Sequence, residues 1–388
     1  MGFSRGTAAV RKRGCIMLIH TLPMGDEVHF YDYALVIPFC GKRKVLSTSP
    51  LNGGYREDIQ AVFNYDSHPG LGVESVMEED TYEEHIKNIA SSLGLDAATA
   101  AGLVTAANME NVSLQSETFE DLTVTAIATG GLSVNGGRVG DPASWHERSG
   151  RNEHTAHGTV NIILYISANL SPGCMTRAVV TCTEAKSAAI QELQEGSQYS
   201  RGLATGSGTD GTIIVSNAES DIYLTNAGKH CKLGELIGRT VLCAVKEALK
   251  KQTGLSPEMQ HSALRRLKRF GVTSTRIYDC HIAKPGEDKL GRPWFSHHLE
   301  LLERRGDVLA MTSCLTQLFD ELDWGLLSAG EMTAAAQMLA GNLAAAIGVG
   351  HAWLPVSSGS KDQAIQGVID NWIRLLALGT AAYSADDA

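Results

Sequence analysis

Between Gly158 and Val215 an unbroken apolar run, a well-started helix and a second apolar run follow one another. This succession constrains the fold more than any other part of the chain. Residues 159–166 are dense in β-branched side chains (Val160, Ile162, Ile163, Ile166), as in a strand covered on both faces. Ser171 suits an N-cap and Pro172 the first helical position. The helix they open carries Met175, Ala178, Val179, Cys182, Ala185, Ala189 and Leu193 on one side. Glu184 and Lys186 lie off that side, toward solvent or toward a site. Residues 212–215 form the next strand. Such a unit belongs in a sheet covered by helices.

The loop before that last strand, Gly206-Ser207-Gly208-Thr209-Asp210-Gly211, has the spacing G-x-G-x-x-G. A dinucleotide fingerprint must follow a strand and open a helix, and here a strand follows. No Gly-Lys-Ser/Thr follows either, so it is not a phosphate-binding loop of the Walker kind. The glycines permit close backbone approach and bring Thr209 and Asp210 with them. At the other strand, Gly158-Thr159 sets a hydroxyl at the strand mouth. This is raw material for a hydrolytic site, and equally for a plain strand–helix–strand unit with a glycine-rich turn.

Earlier in the chain, residues 28–37 read as a strand ending at Pro38, paired through a turn at Gly41-Lys42-Arg43 with residues 45–47. Residues 47–54, with Asn52, Gly53 and Gly54, form either a loop that can approach a ligand closely or a surface turn. Residues 81–95 have helical spacing and 122–128 alternate as a strand. That strand runs into Thr129-Gly130-Gly131, which is either an oxyanion-binding exit or an ordinary one. Residues 136–157 are a polar connection holding Asp141, His146, Glu147, Glu153, His154 and His157. The His154-x-x-His157 spacing raises the question of zinc, but His-Glu-x-x-His is absent, so a solvated loop without metal is the preferred reading. His230 sits in a turn before a helix that stops at Gly254. Beyond it, 259–270, 315–327 and 334–346 are helical in pattern and carry no catalytic motif.

Totals exclude some classes. With 33 Lys and Arg against 43 Asp and Glu, the chain lacks the basic excess of a nucleic-acid binder. Eight cysteines without a Cys-x-x-Cys indicate reduced thiols and a cytoplasmic protein. Residues 332–349 are uncharged but mostly alanine, with Thr333, Gln337, Gly341 and Asn342 interspersed, so a helix of a soluble protein is expected and not a membrane span.

Five blocks in order carry a family resemblance: Val45 to Gly54, Gly158-Thr159-Val160-Asn161-Ile162-Ile163, Thr183-Glu184-Ala185-Lys186, Ala204 to Gly211, and Lys232 to Gly238. Together they resemble the adenosylcobinamide amidohydrolases (CbiZ). The resemblance implies hydrolysis of the amide joining a corrin propionyl side chain to aminopropanol, a linear C–N bond. The products would be adenosylcobyric acid and (R)-1-aminopropan-2-ol, a step of corrinoid salvage. The corrinoid is then substrate, and no cofactor is implied. A more distant likeness is to the DmpA-type aminopeptidases and ornithine acetyltransferases, in which a Ser or Thr at a strand start becomes an N-terminal nucleophile after self-cleavage. Thr159 holds that position here. On these grounds the expected catalytic set is Thr159, Asn161, Thr209, Asp210, Lys186 and His230, with His157, Lys186, His230 or a freed Thr159 amine as base. The expected substrate-binding set is Asn52, Gly53, Gly54, Thr129, Gly130 and Glu184. The expected fold is α/β (α+β), a layered mixed sheet core covered by helices, for which an αββα stack is one arrangement. The expected division is an amidohydrolase-like domain at 15–254 and a mostly helical extension at 255–388, a cover or a homo-oligomer interface. A non-enzymatic corrinoid carrier and a metal-dependent amide hydrolase using His154 and His157 are the competing readings.

Overall fold

Side-chain alternation along the strands decides the layering. The computed structural model describes residues 16–67, 79, 81–143, 146, 159–284, 289–350 and 352–383. They form two compact units: one holds the described residues up to Tyr199 with Leu203–Ser256, the other Ser200–Gly202 with the residues from Pro257 onward.

The first unit opens with β1 (Met17–Thr21), β2 (Glu27–Tyr31), β3 (Ala34–Pro38), β4 (Arg43–Ser47), β5 (Gly54–Arg56) and β6 (Ala61–Asp66). Next come α1 (Tyr82–Ser92), β7 (Ala100–Thr105), β8 (Ser113–Phe119), β9 (Leu122–Gly130) and β10 (Gly136–Gly137). It closes with β11 (Val160–Ile166), β12 (Asn169–Leu170), α2 (Pro172–Glu192), β13 (Gly206–Ser207), β14 (Gly211–Asn217), β15 (Tyr223–Leu224) and α3 (Lys232–Thr253). One sheet has the order β1-β2-β3-β6-β7 and the other β5-β4-β14-β11-β9-β8. Only β6 with β7 and β11 with β14 run parallel within these two sheets.

Alternate residues of each strand face opposite ways. Ile163 and Tyr165 of β11 and Ile213 of β14 meet Val62 and Leu103 of the other sheet. Their neighbours Ile162, Leu164 and Ile214 pack under Ala178 and Cys182 of α2 and Val241 and Ala244 of α3. Across the first sheet, Phe63 and Ala100 pack against Ile86, Ile89 and Ala90 of α1. The stack is therefore helix, sheet, sheet, helix: αββα. Every residue of β11 is buried, which is why its sequence shows no alternation. Ser171 caps α2 as expected, accepting the Cys174 N–H at 3.2 Å.

Two expectations are corrected. Residues 28–37 are not one strand: β2 and β3 turn at Asp32, whose φ is +50°. Strand-forming residues continue through that turn, so composition gives no break, and Asp is among the few residues that accept the left-handed region. Residues 45–47 also do not pair with β3; β4 joins the other sheet between β14 and β5. The chain crosses between sheets there, anchored by the buried Arg43, which donates to Asp26 at 2.8 Å and to the Tyr165 hydroxyl at 3.1 Å. Within the first sheet, the Phe63 ring lies flat over Gly102, where a Cβ would collide with it. Gly102→Ala is expected to destabilise by about 1–3 kcal/mol, read as a lower urea midpoint with unchanged slope.

The second unit is helical: α4 (Pro257–Gln260), α5 (Ala263–Leu267), α6 (Ser274–Ile282), α7 (Arg292–Glu303), α8 (Gly306–Asp323), α9 (Ala329–Ala346) and α10 (Lys361–Ala382). Its core includes Phe295, Phe319, Leu343 and Trp372. The uncharged tract forms α9, with Met332, Ala336, Ala340 and Leu343 inward. Among the described residues no helix is long and apolar enough to cross a membrane. His281 is buried beside Phe295, and its Nε2 accepts the Leu290 N–H at 3.1 Å. Burial, with Lys284 and Lys289 nearby, holds its pKa below the ordinary histidine value. The unfolded chain then binds the proton more readily than the folded one, so His281 favours folding above about pH 6.5 and this stability is lost as pH falls. Unfolding midpoints between pH 8 and pH 5 should decline accordingly, with a shallower decline in His281→Gln.

Candidate active site

β11 and β14 are parallel neighbours, with Asn161 opposite Gly211. The residue before β11 is Thr159 and the loop before β14 ends in Thr209-Asp210, so the register itself brings the two polar segments together. Thr159 is buried. Its Oγ1 donates to the Thr209 carbonyl oxygen at 3.1 Å and forms a short contact with Thr209 Oγ1. Thr209 is solvent-exposed, so the hydroxyl pair links the interior to the surface.

Asp210 is the hub of the loop. Its carboxylate accepts the Val160 N–H at 2.9 Å, the Ser207 N–H at 3.1 Å and the Ser207 hydroxyl at 2.6 Å. It also forms a close ion pair with Lys186 of α2. Gly206 is needed here, because a Cβ would run into the Asp210 carboxylate and the Lys186 ammonium. The β10–β13 ladder, pairing Gly137 with Gly206, holds this approach in place.

A second polar group faces the space between the sheets. Asn161 accepts the Gly211 N–H at 3.1 Å through Oδ1 and donates through Nδ2 to Val104 O at 3.1 Å and Asn64 Oδ1 at 2.9 Å. Asn64, on β6 of the opposite sheet, donates to Thr129 Oγ1 at 2.9 Å. Sequence reasoning does not single out Asn64; its signal is an amide two residues after the buried Val62, on the same face of β6. Ser207 belongs to the glycine-rich loop, but nothing in its spacing marks it as an Asp210 partner.

The structure thus assembles Thr159, Asn161, Thr209, Asp210, Lys186 and Thr129 at one end of the sheets. Gly130 is the last residue of β9, opposite Val160. The Gly131 N–H is taken by the Thr159 carbonyl oxygen at 3.1 Å, so this strand exit does not offer that donor to a ligand. Glu184 does not join the group. Two residues on a helix are roughly 200° apart, so Glu184 faces away from Lys186 and pairs with Lys229 at 3.1 Å on the surface. His230 is exposed in the turn before α3. Asn52 has φ of +52° and spends its amide on the fold, donating to the carbonyl oxygens of Ala97 and Ala100 at 2.8 Å each. Gly53 leaves room for the Ser49 carbonyl oxygen. Gly158, His154 and His157 lie outside the described residues, and among the described residues no group of three His, Cys, Asp or Glu side chains is placed to hold a metal.

A thiol on the same helix as Lys186 is not a competing nucleophile. Cys182, one turn before Lys186, is pushed up to about 12 by burial, against the pull of Lys186. It stays a thiol at neutral pH.

Fold and geometry together define an αββα protein with hydroxyl, amide and carboxylate side chains clustered at one end of its sheets. The adenosylcobinamide amidohydrolase (CbiZ) profile matches residues 19–257, and the chain belongs to that family. It is 35% identical over 229 residues to an uncharacterized protein of Methanocaldococcus jannaschii, covering 56% of this chain and 86% of that one. It is 29% identical over 231 residues to an adenosylcobinamide amidohydrolase of Methanosarcina mazei, covering 58% of this chain and 97% of that one. Among solved structures, a Pyrococcus horikoshii protein aligns with a TM-score of 0.30 and 12% identity over 62% of this chain and 81% of that one.

Proposed function

We propose that this chain hydrolyses the amide between a corrin propionyl side chain and aminopropanol in adenosylcobinamide. The observation that carries the reading is the hydroxyl of Thr159, held at the start of β11 by Thr209 and near Asn161 and Thr129, in a chain of this family. Thr159 Oγ attacks the carbonyl carbon and its proton passes through a base to the leaving nitrogen. The C–N bond breaks, (R)-1-aminopropan-2-ol departs, and the acyl group stays as an ester on Thr159. Water then cleaves the ester, giving adenosylcobyric acid and restoring the hydroxyl.

Lys186 is engaged by Asp210, and His230 is exposed in its turn. Of the base candidates, His157, Lys186 and His230 are side chains of the uncut chain, whereas an α-amine on Thr159 needs a cut after Gly158. Intact mass of active protein separates the two cases, because the cut divides the chain into residues 1–158 and 159–388, while an uncut active chain excludes the freed amine and leaves a side-chain base. The reaction itself is tested by incubating the full chain with adenosylcobinamide and separating products by chromatography. Equal amounts of adenosylcobyric acid and aminopropanol are expected. Tight spectral titration without turnover would replace the reading with that of a corrinoid carrier.

A further inference from the structure

The hydrogen bonds behind Thr159 have a direction, fixed by backbone groups. The Gly211 N–H can only donate, so the Asn161 atom facing it at 3.1 Å is the amide oxygen. Asn161 Nδ2 then faces the Val104 carbonyl oxygen at 3.1 Å, which can only accept, and Asn64 Oδ1 at 2.9 Å. With its oxygen engaged, Asn64 presents Nδ2 to Thr129 Oγ1 at 2.9 Å. Thr129 is therefore an acceptor toward Asn64, and its own hydroxyl proton is directed elsewhere.

Thr129 stands directly across from Asn161, and Thr159 lies two residues before Asn161, immediately ahead of the strand. Thr129 and Thr159 are thus diagonal cross-strand neighbours on the inter-sheet face, about 7 Å apart. A carbonyl spanning that separation would set its carbon at Thr159 Oγ and its oxygen at the Thr129 hydroxyl, each at about 3 Å. Asn64, Thr129 and Asn161 are 4%, 1% and 1% exposed, so the chain works away from water, where an aimed donor is strongest.

We propose that Asn64 is a positioning residue that acts from the opposing sheet. It holds the Thr129 hydroxyl as a donor toward the developing oxyanion. The proposal rests on the reading that Thr159 attacks an amide carbonyl. It differs from that reading in assigning work to a strand that carries none of the family blocks seen in the sequence.

The test is a double-mutant cycle on the full chain with adenosylcobinamide. Thr129→Val should lower kcat by about 10²–10³, the usual loss for one oxyanion donor, with KM within about threefold. Asn64→Leu should lower kcat by roughly tenfold or more with KM similarly preserved, and should add little in the Thr129→Val background. Thr129→Ser should recover most of the Thr129→Val loss. If Asn64→Leu fails to fold, Asn64→Asp carries the same test, since it keeps the acceptor for Asn161 and loses the donor to Thr129. A folded Asn64 variant with wild-type kcat, or losses at Asn64 and Thr129 that multiply, would overturn the assignment. If wild type turns over, Thr159→Ala is inactive and Asn64 variants are unaffected, only the role of Asn64 fails. If wild type does not turn over, the proposed reaction fails and this role with it.

Discussion

Thr159→Ala should lower kcat for adenosylcobinamide hydrolysis by roughly 10³-fold or more while corrinoid affinity stays near wild type. The size follows from removing the atom that forms the acyl bond, after which no other step of a covalent route can proceed. Affinity is spared because one buried hydroxyl adds little contact area for a corrinoid. Thr159→Ser should retain measurable turnover, since it keeps the oxygen and the bond to the Thr209 carbonyl oxygen. A parallel spectral titration separates this outcome from misfolding. Near-normal turnover in Thr159→Ala would remove Thr159 from the chemistry.

The largest stability effect is expected at Asp210. Asp210→Ala should cost about 3–5 kcal/mol, because it removes one partner of a largely buried ion pair. Lys186 and Asp210 are only 12% and 13% exposed, and the same substitution strips the Val160 and Ser207 N–H groups of their acceptor. Lys186→Met should cost less, about 1–2 kcal/mol, since three donors still hold the carboxylate. Urea midpoints at constant slope check the order. A cost for Asp210→Ala within about 1 kcal/mol of zero would show that the loop is held by something else.

The inner layers were legible because their causes are local. The β11–α2–β14 succession announced itself through an apolar run, a Ser-Pro helix start and a strand after the glycine-rich loop. That following strand also excluded a nucleotide reading before any geometry was known. The glycine-rich loop and Thr159 were legible as polar segments, but their meeting depends on β11 and β14 being adjacent and parallel, which spacing alone does not state. What could not be read was pairing across sheets. Asn64 contacts Asn161 97 residues away, and no periodicity reports which distant strand faces which. The same holds for β4, whose turn from β3 resembles a hairpin while its partners lie in the other sheet. Glu184 failed for a simpler reason: it is adjacent in sequence to useful residues but on the opposite side of their helix.

The central claim is a covalent one, and mass mapping of wild-type protein quenched in acid during turnover tests it most directly. The prediction is an ester joining the corrinoid propionyl carboxyl to the peptide containing Thr159, absent from Thr159→Ala and lost as substrate is consumed. Full turnover with Thr159 unmodified throughout and replaceable by alanine would contradict it.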